Sequence, residues 1–159
     1  METTKNKFMP VGKSKLIEGT IITPELANLC LVVVPVGISG KPENPVYDIL
    51  EKKWKNVKAD VKGWHASNRD FKPGDVHALP VQSDVWCVSM LCLDKEGALD
   101  EKALVKCVKG LLKMAKEEKA SVHISTITLD EMPQLGDLVA EHLLDNGVNA
   151  YFYQEKEEK

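Results

Sequence analysis

The chain has 159 residues and a mass of 17.7 kDa, the size at which one hydrophobic core is the usual solution, so a single domain is expected. Hydrophobic residues make up 43% and charged residues 28%, an ordinary globular balance that excludes wholesale disorder. A net charge of −3 and an isoelectric point near 5.8 give no basic footprint for a phosphate backbone, so the expected partner is a small molecule or a protein rather than nucleic acid.

In chain order, residues 1–14 read as a flexible N-terminus. The first fifteen residues contain several lysines but no apolar h-region or small-residue cleavage site, which is not a secretory pattern and predicts a cytoplasmic setting. Residues 15–22 (KLIEGTII) predict a strand, Thr23-Pro24-Glu25 a turn, and residues 29–36 (LCLVVVPV) a second strand. That second run is the longest apolar stretch. It falls far short of the roughly 20 residues that a helix needs to span a bilayer. Being apolar on both faces, it should be an interior strand covered from both sides, with Pro35 at its end, where no ladder donor is needed.

Residues 37–45 (GISGKPENP) form a loop. A helix follows, with Asn44 as N-cap, Pro45 in the first turn, and Val46, Ile49, Leu50, Trp54 and Val57 at helical intervals. Residues 58–73 are polar and weakly periodic, and read as a connector. Residues 76–81 and 85–93, separated by Ser83-Asp84, predict a hairpin. A long helix then runs over residues 99–118 from Asp100, with Leu104, Cys107, Val108, Leu111, Leu112 and Ala115 on one face. Residues 122–126 predict a second interior strand. A final helix bearing Leu135, Leu138, Val139, His142 and Leu143 should stop at Asn146-Gly147, followed by a strand over residues 148–153 and a charged tail. Interleaved helices of this kind imply an α/β fold with a mixed sheet between two helical layers.

Cys30, Cys87, Cys92 and Cys107 all fall in apolar segments without metal spacing, so four buried, free thiols are expected. His65, His77, His123 and His142 share no ligand spacing, and no G-x-S-x-G elbow is present, so neither a metal nor a cofactor is expected.

Two loops, residues 37–45 and 127–133, follow core strands and precede helices. In open α/β sheets that edge receives ligands, because helix N-termini present N–H groups to an anion. The first loop contains G-x-x-G-K, which is not the spacing of a P-loop; it is either a simple turn or a backbone nest approaching a phosphate. In the second, Thr128 and Glu131 have capping-box spacing. Asp130 therefore either starts a helix or faces the cleft as a carboxylate.

Taken in order, residues 15–153 resemble the macro-domain family, especially its members related to terminal ADP-ribose-protein glycohydrolases and ADP-ribose 1″-phosphate phosphatases. Gly19-Thr20-Ile21 stands where that family has Gly-Asp-Ile, Gly37-Ile38-Ser39-Gly40 where it has its first ligand loop, and Leu129-Asp130 resembles the Leu-Asp of the glycohydrolase branch. The resemblance implies a three-layer α/β/α macro-domain-like fold over residues 15–154, with a charged tail at 155–159. It implies a ligand, ADP-ribose or a related nucleotide derivative, held by Thr20, Ile21, Gly37, Ser39, Gly40, Thr126 and Thr128. For a hydrolase it makes Lys95 the nucleophile or cation and Asp130 the acid/base. The alternative is a degenerate macro-like module serving as a non-catalytic protein-interaction or structural domain.

Overall fold

The computed structural model describes residues 12–21, 28–67, 69 and 71–155. The turn expected at Thr23-Pro24-Glu25 lies outside the described residues, as do most of the N-terminus and residues 156–159. Six strands form one sheet: β1 (Ser14–Glu18), β2 (Cys30–Gly37), β3 (Val76–Gln82), β4 (Val85–Leu93), β5 (Ser121–Ser125) and β6 (Ala150–Gln154), in the order β1-β6-β5-β2-β4-β3. All neighbours are parallel except β3, which pairs antiparallel with β4 at the edge. Both β2 and β5 are interior and buried along their whole length, as their two-sided apolarity requires. The β2–β5 ladder ends at Val33, so Pro35 sits beyond it and pairs only with Met90 of β4.

Alternate residues of the strands feed two cores. On one face Leu31, Val33, Val88, Met90, Val122 and Ile124 pack against α3 (Glu101–Glu118) and α5 (Gln134–Leu138), which continues through a wide π turn to Gly147. The Asp100 side chain accepts from the Ala103 N–H at 3.1 Å and starts α3, whose Leu104, Val108 and Leu111 are fully buried. Each of these three contributes about 1.5–3 kcal/mol by leaving water. On the other face Val32, Val34, Val36 and Leu91 meet α1 (Pro45–Glu51) and α2 (Val57–Ser67). The α4 helix (Thr126–Glu131) lies directly after β5. These are the expected three layers.

Three expectations are corrected. The stretch read as a connector contains α2, because Val57, Val61 and Trp64 fall on one face and are buried, and the Glu51 carboxylate accepts from the Lys58 N–H at 2.7 Å. The second loop is α4 itself. Its N-cap is Ser125, whose hydroxyl accepts from the Ile127 N–H at 3.1 Å, so Thr128 lies inside the helix and caps nothing. Gly12 and Glu155, expected in the N-terminus and the tail, are hydrogen-bonded to the domain: Gly12 donates to Leu144 O, Gln154 closes β6, and the Glu155 carboxylate accepts from the Ile21 N–H at 2.6 Å.

Candidate functional site

Five parallel strands place their carboxyl ends on one edge, and the loops after β2 and β4 gather there with the end of α4. Between them lies a cleft of two lobes that share Pro35, Glu43, Asn44, Leu93 and Gly97. The smaller lobe, about 30 Å³, reaches Gly37, Ser39, Lys41, Asp94 and Lys95. The larger, about 360 Å³, reaches Leu99, Glu131 and Met132.

Local chemistry fixes each wall. Gly40 has φ 75°, a conformation that favours glycine, and a Cβ there would collide with the His65 ring, so the first loop is seated on α2. Gly37 lets the ends of β2 and β4 approach closely: a Cβ would lie 3.2 Å from Asp94 O. Asn44 is buried; its Oδ1 accepts from the Val46 N–H at 2.8 Å, and its Nδ2 donates to Glu131 Oε1 at 2.9 Å. The loop after β4 is held by Asp94, whose Oδ1 accepts from the N–H groups of Glu96 and Ala98, both at 2.9 Å. Lys95 projects from that turn and is exposed.

Of the residues singled out from the sequence, Gly37, Ser39 and Lys95 come together in the smaller lobe, while Gly40 is buried against His65 and outside the lining. The others do not join them. Thr20 and Ile21 lie after β1, on the far side of β5 and β6, where Glu155 already holds the Ile21 N–H. Thr126 is half-buried at the start of α4, and Thr128 is fully buried, with no hydrogen-bond partner for its hydroxyl among the described residues. Asp130 is exposed and lies outside the residues lining either lobe. The N–H groups of Val46 and Ile127 are taken by Asn44 and Ser125, so these helix starts offer an anion less than the sequence suggested.

Glu131 and Asn44 are the site residues that sequence reasoning missed. They are 87 positions apart, and no local pattern links them. Among the described residues no group of three or more His, Cys, Asp or Glu is placed to hold a metal, and no helix is long and apolar enough to cross a membrane.

Away from the cleft, His123 is fully buried in β5. Its Nε2 lies 2.7 Å from Ser121 Oγ and its Nδ1 2.7 Å from the Tyr153 hydroxyl. Burial pushes its pKa down to about 4, which keeps the ring neutral. All four cysteines are buried, free thiols, and burial raises their pKa, to about 12 for Cys87 and Cys107, so they are poor nucleophiles.

No family model matches the chain, and no curated protein does. Solved structures do. A macrodomain protein from Streptomyces coelicolor superposes with a TM-score of 0.82 at 19% identity, over 89% of this chain and 99% of that one. The macrodomain of Thermus aquaticus DarG gives 0.70 at 12% identity, over 90% and 99%. Thermosipho africanus DarTG, in complex with ADP-ribose, gives 0.67 at 11% identity, over 95% of this chain but 44% of that longer one. The chain therefore has the macrodomain fold.

Proposed function

We propose that this protein binds ADP-ribose or a related nucleotide derivative in the cleft over the carboxyl ends of β2 and β4. The observation that carries the reading is the meeting of Ser39, Lys41 and Lys95 in one lobe, next to a second, largely apolar lobe. A hydroxyl and two cations suit phosphate oxygens, with the nearby Asp94 carboxylate engaged by the N–H groups of its own turn and Glu43 shared with the second lobe, and the apolar floor suits a flat or sugar-like group. The fold supports the same reading, since one structure that shares it is a complex with ADP-ribose. A fold alone does not fix a ligand, so the weight rests on the cleft.

Hydrolysis is the finer form of the proposal. Lys95 lines the cleft, whereas Asp130 lies outside the lining, so binding without turnover is the version the cleft favours. Calorimetry with ADP-ribose, its 1″-phosphate and NAD tests it. Saturable binding of at least one is expected; no detectable heat at about millimolar ligand, a binding free energy of roughly −4 kcal/mol, returns the chain to a protein-interaction or structural role. Incubation with an ADP-ribosylated protein separates a binder from a hydrolase.

A further inference from the structure

A groove of about 700 Å³, larger than either lobe of the cleft and sharing no residue with it, runs between α2 and the edge strand β3. Asn56, Asp60, Gly63 and Ser67, about one residue for each helical turn, form one wall. That wall is about 16 Å long, the length of about five residues of extended chain. Val76, His77 and Leu79 form the other wall. Val76 packs against Gly110 of α3, whereas His77 stacks on Trp64 and Leu79 joins the core beneath α2. A lining that holds residues from both faces of a strand includes the strand's open edge.

That edge carries unused backbone groups. β3 pairs on one side only, with β4. Leu91 donates to Asp75 O, and the alternation of an antiparallel ladder then turns His77 and Leu79 toward β4 and Val76 and Ala78 outward. Neither outward residue has another backbone partner among the described residues. Pro80, next in the outward series, has no N–H, so an added strand would pair through Val76 and Ala78 and stop there.

The chemistry at one end is specific. Trp54 Nε1 donates to Gln82 Oε1 at 3.0 Å, so the start of α2 lies beside the end of β3 and the two run in opposite directions. Arg69, just past α2, therefore stands at the Val76 end of the groove. It is the only arginine in a chain otherwise supplied with lysines, and its guanidinium forms no ion pair among the described residues. The one carboxylate in the lining, Asp60, is already matched, with His77 Nε2 at 2.8 Å from its Oδ2. A planar guanidinium can hold a carboxylate by two parallel hydrogen bonds. Between the ends, a Cβ on Gly63 would meet nothing within 4 Å, so Ala59, Gly63 and Leu79 leave an apolar seat for a side chain.

We propose that this groove binds the carboxyl terminus of a partner protein as a strand added antiparallel to β3. Val76 and Ala78 exchange backbone hydrogen bonds with it, an apolar side chain sits over Ala59, Gly63 and Leu79, and Arg69 holds the terminal carboxylate. An antiparallel strand ends at the Val76 side, where Arg69 stands, so a chain terminus fits better than an internal segment. The proposal does not rest on the ADP-ribose reading.

Selection from a library of random short peptides displayed with free carboxyl termini tests this, followed by fluorescence polarisation with the enriched peptide made as free acid and as amide. The acid should bind, and the amide should bind about tenfold more weakly or worse, the effect of losing a charge-assisted pair. Arg69→Gln should weaken the acid to the level of the amide and leave the amide unchanged, and Arg69→Lys should recover only part of the loss. Ala78→Pro removes an outward N–H and no bond to β4, so it should abolish binding of both forms, with a thermal melt to check the sheet. If that variant does not fold, Arg69→Gln and the amide carry the test. Lys95→Ala, in the cleft, should bind the peptide as the wild type does. Failure of the wild type to enrich any peptide, an amide as tight as the acid, or wild-type binding by Arg69→Gln or by folded Ala78→Pro overturns the proposal.

Discussion

Two polar clusters sit on the same sheet and are treated in opposite ways. Inside, Ser121, His123 and Tyr153 satisfy one another: both ring nitrogens of His123 have partners at 2.7 Å, and no part of the ring reaches water. At the carboxyl edge, Ser39, Lys95 and Glu131 face an open cleft. The inner cluster acts on the fold, because both ring nitrogens of His123 are paired and the ring is fully buried. The outer one is free to meet a ligand. Substitutions should therefore separate cleanly into those that move stability and those that move binding.

The largest expected effect is on pH dependence. Unfolded, the His123 ring takes a proton near 6.5; folded, burial holds that to about 4. Between these values the unfolded chain binds more protons, so the contribution of His123 is complete above about pH 6.5 and is lost as the pH falls toward 4. It amounts to about 3 kcal/mol. Urea unfolding of wild type and His123→Phe between about pH 7 and about pH 4 should show a shallower slope in the variant. Parallel slopes would assign the acid sensitivity elsewhere.

Next in size is Tyr153→Phe. It removes the hydroxyl that meets His123 Nδ1 and leaves a buried ring nitrogen unpaired, at a cost of about 1–3 kcal/mol. A change under about 0.5 kcal/mol in the same assay would mean that the ring finds another partner. The smallest effect on stability belongs to Lys95→Ala. An exposed turn residue should shift the unfolding free energy by less than about 0.5 kcal/mol. Its affinity for ADP-ribose should nevertheless fall about fivefold, the scale of one exposed ion pair. If Lys95→Ala lowers stability and spares binding, the contrast between the two clusters fails.

Much of the sheet and the long helix is legible in the sequence because the physics is local. The run LCLVVVPV is apolar at every position but its proline, so it can only be a strand covered from both sides, and Asp100 with a six-residue apolar stripe can only begin a helix packed on a core. The α2 helix was hidden because its three anchors, Val57, Val61 and Trp64, are diluted by lysines and Gly63. Of the residues that line the candidate cleft, Gly37 and Ser39 belong to the loop that the strand-end rule singles out and Lys95 came from the family resemblance, whereas the Asn44–Glu131 contact depends on how two loops dock and has no trace in either segment alone. A one-residue difference in reading the end of β5 also mattered. The cap of α4 lies three residues earlier than expected, at Ser125 rather than Thr128, and Glu131, not Asp130, lines the cleft.

The edge strand β3 carries a consequence for self-association. An uncovered strand is a template on which another chain can zip, and flat, regular edges are the ones that aggregate. In β3 the ladder is broken on purpose-suited chemistry: Pro80 has no N–H to donate, and the register slips between Pro80 and Gln82. A second copy laid along this edge would lose hydrogen bonds midway, so the proline and the bulge disfavour growth of the sheet at β3, one of its two edges.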